Sequence, residues 1–176
     1  MKTLTLLRHA KSGWDAPVAR DFDRPLNARG RKAARAIGRE MRRLGLGFDL
    51  VRASPAVRVT ETLTELAQGY GAAVDTQFDE SIYLAPVDLL LAMVRATGDG
   101  DARLLLVGHN PGMEQLALLL SGAGPLRDEI AAKYPTGALA EIAFDTEHWH
   151  DVAPGKGRLQ RFIRPRELGE GLGPND

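Results

Sequence analysis

The sequence predicts an α/β fold: a mostly parallel central sheet with helices on both faces and possible antiparallel edge strands. Three observations lead there. Short β-prone runs alternate with longer helical ones along the chain. The run RLLLV at 103–107 is apolar enough to be covered on both faces, as a strand inside a parallel sheet must be. Past residue 139 the chain turns β-rich, and such an end can add antiparallel strands.

Residues 3–7 (TLTLL) read as a buried strand. Residues 10–26 carry Gly, Pro and Asp punctuation without a clear period. They predict a long loop, and loops of this length in compact domains are often functional. Asn27 can cap a helix that runs to about Leu44, where Gly45 stops it. Its apolar positions Ala33, Ala34, Ile37, Met41 and Leu44 fall at helical spacing. A second strand spans 48–53. Ser54-Pro55 then reads as an N-cap followed by proline at the first helical position. Val59, Leu63, Leu66, Ala67 and Tyr70 supply that helix's buried stripe, and Gly71 ends it. A strand over 73–78 precedes a helix from about 86 to 96. After the strand at 103–107, Asn110-Pro111-Gly112 opens a helix through Leu120, and a short helix is expected near 128–133. Strands at 139–144 and 159–163 follow, with a weaker one near Trp149. Residues 1–165 are expected to form one domain, and the Gly-rich polar stretch 166–176 a frayed tail.

The length of 176 residues suits one domain with a proper core. Lys plus Arg number 23, as do Asp plus Glu, so no global field points to nucleic acid or a membrane. Anion recognition must come from a local cluster. With no cysteine, disulfides, thiol catalysis and thiolate metal sites are excluded. The apolar stretch between Lys2 and Arg8 is too short for a signal peptide, and no run approaches a membrane span. A cytoplasmic protein is expected.

One pattern recurs three times. An apolar strand ends, and a cationic or imidazole residue follows at once or within a helical turn. TLTLL leads to Arg8-His9, FDLVRA leads through Ser54-Pro55 to Arg58, and RLLLV leads through Gly108 to His109. Open α/β sheets bind ligands at the carboxyl ends of their strands. If the three strands are parallel neighbours, Arg8, His9, Arg58 and His109 converge, and two helix N-termini face the same spot. Such a place suits a phosphate dianion. Singly, each residue has an ordinary reading as a polar strand end, a solvated charge or a core imidazole. Their joint occurrence is hard to obtain from packing alone.

LLRHA, SPAVRVTET and LVGHNPG resemble the motifs of the histidine phosphatase (phosphoglycerate mutase-like) superfamily. The compact length, DFDRPLNARG and YPTGALA look most like its SixA branch of phosphohistidine phosphatases. The resemblance reaches to about Ile163. It implies that His9 is the phosphoryl-accepting nucleophile and that Arg8, Arg58 and His109 hold the phosphoryl oxygens. Arg24 matches a family position that helps shape the pocket mouth; a loop arginine paired with Asp21 or Asp23 is the plainer reading. Glu80, beside Asp79, is the best positional match to the general acid of the mutase branch, against two solvated loop carboxylates. The usual glycine after the nucleophile is Ala10 here. No metal and no organic cofactor are implied. Phosphate, sulfate, vanadate or tungstate is expected to fill the pocket, and the substrate to be a phosphorylated protein or a small phosphate compound. The alternatives are a small-molecule phosphomonoesterase, a non-catalytic phospho-binding or scaffold module and, less favoured because the chain lacks room for the longer segments that enclose its substrate, a phosphoglycerate mutase.

Two further features fit surface roles. The basic run RGRKAARAIGREMRR places its charges opposite the apolar stripe, as a solvated face does, though it could dock an acidic partner or nucleic acid. His148-Trp149-His150 would set two imidazoles on one strand face like a metal pair, but no third ligand is apparent, and a surface strand explains it better.

Overall fold

Side chains alternate across a strand, so the unbroken apolar run at 103–107 has to be covered twice. In the computed structural model of the chain, which describes residues 1–172, it is. Leu104 and Leu106 join one core cluster with Val94, Met113 and Leu116. Leu105 and Val107 join a second with Ile37, Met41 and Val59.

The strands are β1 (Lys2–Arg8), β2 (Leu50–Ala53), β3 (Gln77–Phe78), β4 (Arg103–Gly108), β5 (Leu139–Phe144) and β6 (Arg158–Ile163). They form a six-stranded sheet in the order β3-β2-β4-β1-β5-β6. The first four in that order are parallel; β5 is antiparallel to β1, and β6 to β5. Helices α1 (Ala28–Arg43) and α2 (Val57–Tyr70) cover one face. Helices α3 (Val87–Arg95), α4 (Gly112–Leu120) and α5 (Pro125–Ala132) cover the other. No helix among the described residues is long and apolar enough to cross a membrane.

Several local expectations need correction. Asn27 does cap α1, accepting from the Gly30 N–H at 2.8 Å. Ser54 does not cap α2, which starts at Val57 after an Ala56 cap; its hydroxyl is drawn to a more distant partner described below. The strand expected over 73–78 shrinks to Gln77–Phe78, both exposed, because the edge offers little to bury. The segment around Trp149 is a 3₁₀ turn, Trp149–Asp151, and no strand. The stretch from 166 is not wholly unpacked: Pro165–Glu167 forms a 3₁₀ turn, and Leu172 is buried against Ala33 and Ala36 of α1. Small residues on α1 give those few apolar side chains a surface. Residues 173–176 of the expected tail lie outside the described residues.

Helices α1 and α2 touch backbone to backbone. A Cβ on Gly38 would lie 2.1 Å from the Leu66 carbonyl oxygen, and one on Gly69 would lie 2.0 Å from that of Arg35. Gly38→Ala gains about 1 kcal/mol of helix propensity, yet it must push the helices apart, and overpacking of this kind costs about 1–3 kcal/mol. Since backbone atoms are the obstacle, the steric cost should win. Gly38→Ala is expected to lower the thermal midpoint; an unchanged or raised midpoint would mean that the helices are not in this close contact.

Candidate active site

The three parallel strands β2, β4 and β1 end on one level. Arg8 pairs with Gly108 and Ala53 with Val107 in the sheet register. The ladder then continues one step, with His9 N–H donating to Gly108 O and Ser54 N–H to Val107 O, each at 3.1 Å. His9, Ser54 and His109 therefore stand side by side at the carboxyl edge, where α/β sheets take their ligands. Arg58 joins them from the second residue of α2. His9, His109 and Arg58 line a cavity of about 570 Å³ together with Arg8, Asp21, Arg24, Lys11 and Asn110.

The loop behind His9 is held from two sides. Gly137, at φ +76°, donates its N–H to both Arg8 O and His9 O, at 3.1 and 2.9 Å. That left-handed backbone is open to glycine without strain, which gives YPTGALA a physical role. Ala10 donates its N–H to Thr62 Oγ1 at 3.0 Å and buries its methyl against Leu26 and Ala34. The departure from glycine at this position is thereby accommodated.

The hydrogen bonds fix the state of each imidazole. His9 Nδ1 lies 2.7 Å from Ala10 O. A carbonyl only accepts, so Nδ1 carries the proton and Nε2 the lone pair. Arg58 Nε–H is 3.4 Å from that Nε2. The His109 ring centroid lies 5.3 Å from that of His9. Its Nε2 is 2.8 Å from Ser54 Oγ, which in turn accepts from Ala56 N–H at 3.2 Å. The buried Ser54 hydroxyl hydrogen finds its acceptor in His109 Nε2, so the His109 proton belongs on Nδ1. That Nδ1 is buried with no hydrogen-bond partner among the described residues.

Both imidazoles are held neutral. Burial lowers the His9 pKa well below the usual 6.5; the Ala10 carbonyl works the other way, and the proximity of His109, Arg58 and Arg8 lowers it further. Burial, then Arg58, bring His109 down to about 3. In the unfolded chain both rings protonate near pH 6.5. The unfolded state thus binds more protons as pH drops from about 6.5, and stability falls in that direction. Urea unfolding at pH 7.5 and 4.5 should show a lower midpoint at 4.5, with a smaller difference in His109→Gln. Equal differences in both proteins would exclude His109 as a source of the pH dependence.

The sequence did not single out Asp21 as a pocket group, although it is the carboxylate at the centre of the cavity's hydrogen bonds. Its Oδ2 accepts from Arg58 Nη2 at 2.9 Å and from Tyr83 OH at 2.5 Å; its Oδ1 accepts from Arg24 Nε at 2.9 Å. Burial alone would raise its pKa, but the bonds from Tyr83, Arg24 and Arg58 outweigh this and hold it far below the carboxylate range. Arg24 does stand at the pocket mouth, bonded to Ser12 Oγ at 2.7 Å and stacked 3.7 Å from the Trp14 ring centroid. Both readings of Arg24 meet in that geometry. Glu80 is exposed and does not line the cavity. Asp79 is turned aside by Arg52 and Ser81, whose bonds to its carboxylate are 2.6–2.9 Å. The places of Ser54, Tyr83 and Asn110 at the site also escaped the sequence reading, which took Ser54 as a helix cap and Asn110 as a helix start. Leu84, exposed at the rim with φ +49°, carried no sequence signal at all.

Residues 4–83 match the family model of the histidine phosphatase superfamily, branch 1. Rv1276c, an uncharacterized protein of Mycobacterium tuberculosis, is 32% identical over 164 residues, spanning 91% of this chain and all of that one. A SixA protein of Nakamurella multipartitia, named as a candidate phosphohistidine phosphatase, is 30% identical with a TM-score of 0.80, covering 93% of this chain and 96% of that one. The chain belongs to the histidine phosphatase superfamily. Within it the chain is of the SixA type, with the phosphoglycerate mutase-like fold. A tungstate complex of the protein histidine phosphatase SixA shares the fold with a TM-score of 0.77 at 23% identity, covering 95% and 99% of the two chains. In this histidine phosphatase the residues that carried the resemblance, Arg8, His9, Arg58 and His109, are the ones gathered at the carboxyl edge. The basic run of α1 stays apart from them. Arg35, Arg39, Arg42 and Arg43 instead border a separate hollow of about 590 Å³ with Gln68 and Gly69.

Proposed function

We propose that this protein is a phosphohistidine phosphatase that carries the phosphoryl group transiently on His9. The His9 Nε2 lone pair attacks phosphorus, forming a P–N bond while the bond from phosphorus to the substrate nitrogen breaks. The leaving ring, protonated on its other nitrogen, departs as neutral imidazole. Water then attacks phosphorus and the P–N bond to His9 breaks, giving inorganic phosphate. Because Ala10 O keeps the proton on Nδ1, His9 also departs as a neutral imidazole. Arg8, Arg58 and the His109 Nδ1–H are assigned to the phosphoryl oxygens, where positioning and charge count for more than covalent help.

The observation that carries this reading is the absence, among the described residues, of a proton donor from the carboxyl groups lining the cavity. The carboxylate there, Asp21, is ionised and committed to arginines. An alkyl phosphate ester expels an alkoxide, which calls for a general acid; a protonated phosphoimidazole does not. The rim fits a protein substrate too, since Trp14 is 77% and Leu84 53% exposed beside the cavity. The test offers a phosphohistidine protein, a phosphoserine peptide and sugar phosphates in parallel, with EDTA present. Phosphohistidine should be turned over fastest. Preference for the sugar phosphates would mean a small-molecule phosphomonoesterase, and no turnover of any substrate would mean a binding module.

A further inference from the structure

We propose that Asp99, His148 and His150 form a surface site for a borderline divalent cation such as Zn²⁺, at the opposite end of the sheet from the phosphoryl cavity. Two imidazoles two residues apart lack a third donor in the sequence alone. The fold supplies it from almost 50 residues earlier, in the loop that leads into β4. The three ligating atoms all lie within 4.8 Å of one another. His148 Nδ1 is 2.8 Å from Asp99 Oδ2, and the His148 and His150 rings stack with centroids 5.3 Å apart. Zinc bonds of about 2.0–2.2 Å set donors roughly 3.3–3.5 Å apart in a tetrahedron. All three side chains are exposed, so small rotations close that gap.

The backbone beneath these donors is fixed. Trp149, between the two histidines, is fully buried; its ring N–H donates to Asp101 O at 2.6 Å and its backbone N–H to Asp99 Oδ1 at 2.8 Å. Lys2 Nζ donates to Asp99 O at 2.6 Å, tying β1 to the same loop. Asp99 thus has one oxygen oriented by an outer partner, the arrangement that supports ligands in metal sites. A second carboxylate, Asp151, lies 3.1 Å from His150 Nε2. Two imidazoles and a carboxylate suit Zn²⁺ and its neighbours, whereas Mg²⁺ and Ca²⁺ prefer oxygen donors alone. Three protein ligands leave a position for water. The Lys2 ammonium nearby opposes the cation, so binding is expected to be moderate in strength.

Calorimetric titration of Zn²⁺ into the untagged, metal-free full chain tests this. One ion per chain should bind tighter than millimolar, and Mg²⁺ should give no heat. His148→Ala and His150→Ala should each weaken Zn²⁺ binding at least tenfold, and Asp99→Asn should weaken it as well, with circular dichroism unchanged. Phosphatase turnover of the two histidine variants should equal that of the parent. Zn²⁺ binding that is millimolar or weaker, that survives both histidine substitutions, or that disappears with His9→Ala instead would overturn the proposal.

Discussion

His9→Ala is expected to reduce turnover to background, a loss of more than about 10⁴-fold, as removal of a covalent nucleophile does elsewhere. The size follows from what His9 alone supplies. Its Nε2 is the lone pair at the junction of three strand ends, and burial together with the surrounding cations keeps it unprotonated. A water molecule entering the space left by alanine would lack that fixed orientation and the superior nucleophilicity of imidazole. His9 contributes little to binding a dianion in this neutral state, so the arginines should still hold phosphate or tungstate in the variant. A loss in kcat with retained anion affinity is therefore the expected signature. If the variant kept a tenth of the parent rate, His9 would not be the nucleophile.

Arg58→Ala should cost about 10²–10³-fold in kcat/KM, the scale on which removal of one preorganised charge-stabilising donor is felt. The guanidinium is buried, with its Nε 3.4 Å from His9 Nε2; in the proposed mechanism that is where the equatorial phosphoryl oxygens gather charge. It also neutralises Asp21 through Nη2. Its loss removes one positive charge and releases a carboxylate to repel the incoming dianion, so both effects point the same way. Arg58→Lys keeps the charge but loses the planar fork and the grip on Asp21, and should recover only part of the rate. Steady-state kinetics of the three proteins decide this; a change of less than about threefold in Arg58→Ala would remove Arg58 from the phosphoryl site.

The positions legible in the sequence are those tied to strand ends. Arg8, His9 and His109 follow long apolar runs whose burial on both faces leaves little freedom of register, so their convergence could be read before any coordinates. Arg58 was legible through the proline-punctuated start of its helix. What stayed hidden depends on hydrogen bonds between distant segments. Asp21 sits in a loop without period, and its role is set by Arg58 and Tyr83, 37 and 62 residues away. Ser54 has the residue type of a cap and the right neighbour, Pro55, yet its hydroxyl serves a histidine 55 residues on. Glu80 matched the acid position by order along the chain. Its 3₁₀ turn leaves it exposed outside the cavity, which no spacing rule foresees. The third donor beside His148 and His150 was invisible for the same reason.

Rapid quenching in alkaline denaturant during turnover of phosphohistidine protein, followed by peptide mapping at high pH, tests the passage of the phosphoryl group through His9. The phosphoryl group should be found on Nε2 of His9, acid-labile and stable in base, and should be missing from His9→Ala. A label on His109 or any other residue, or turnover at full rate with no phosphorylated protein formed, would contradict it.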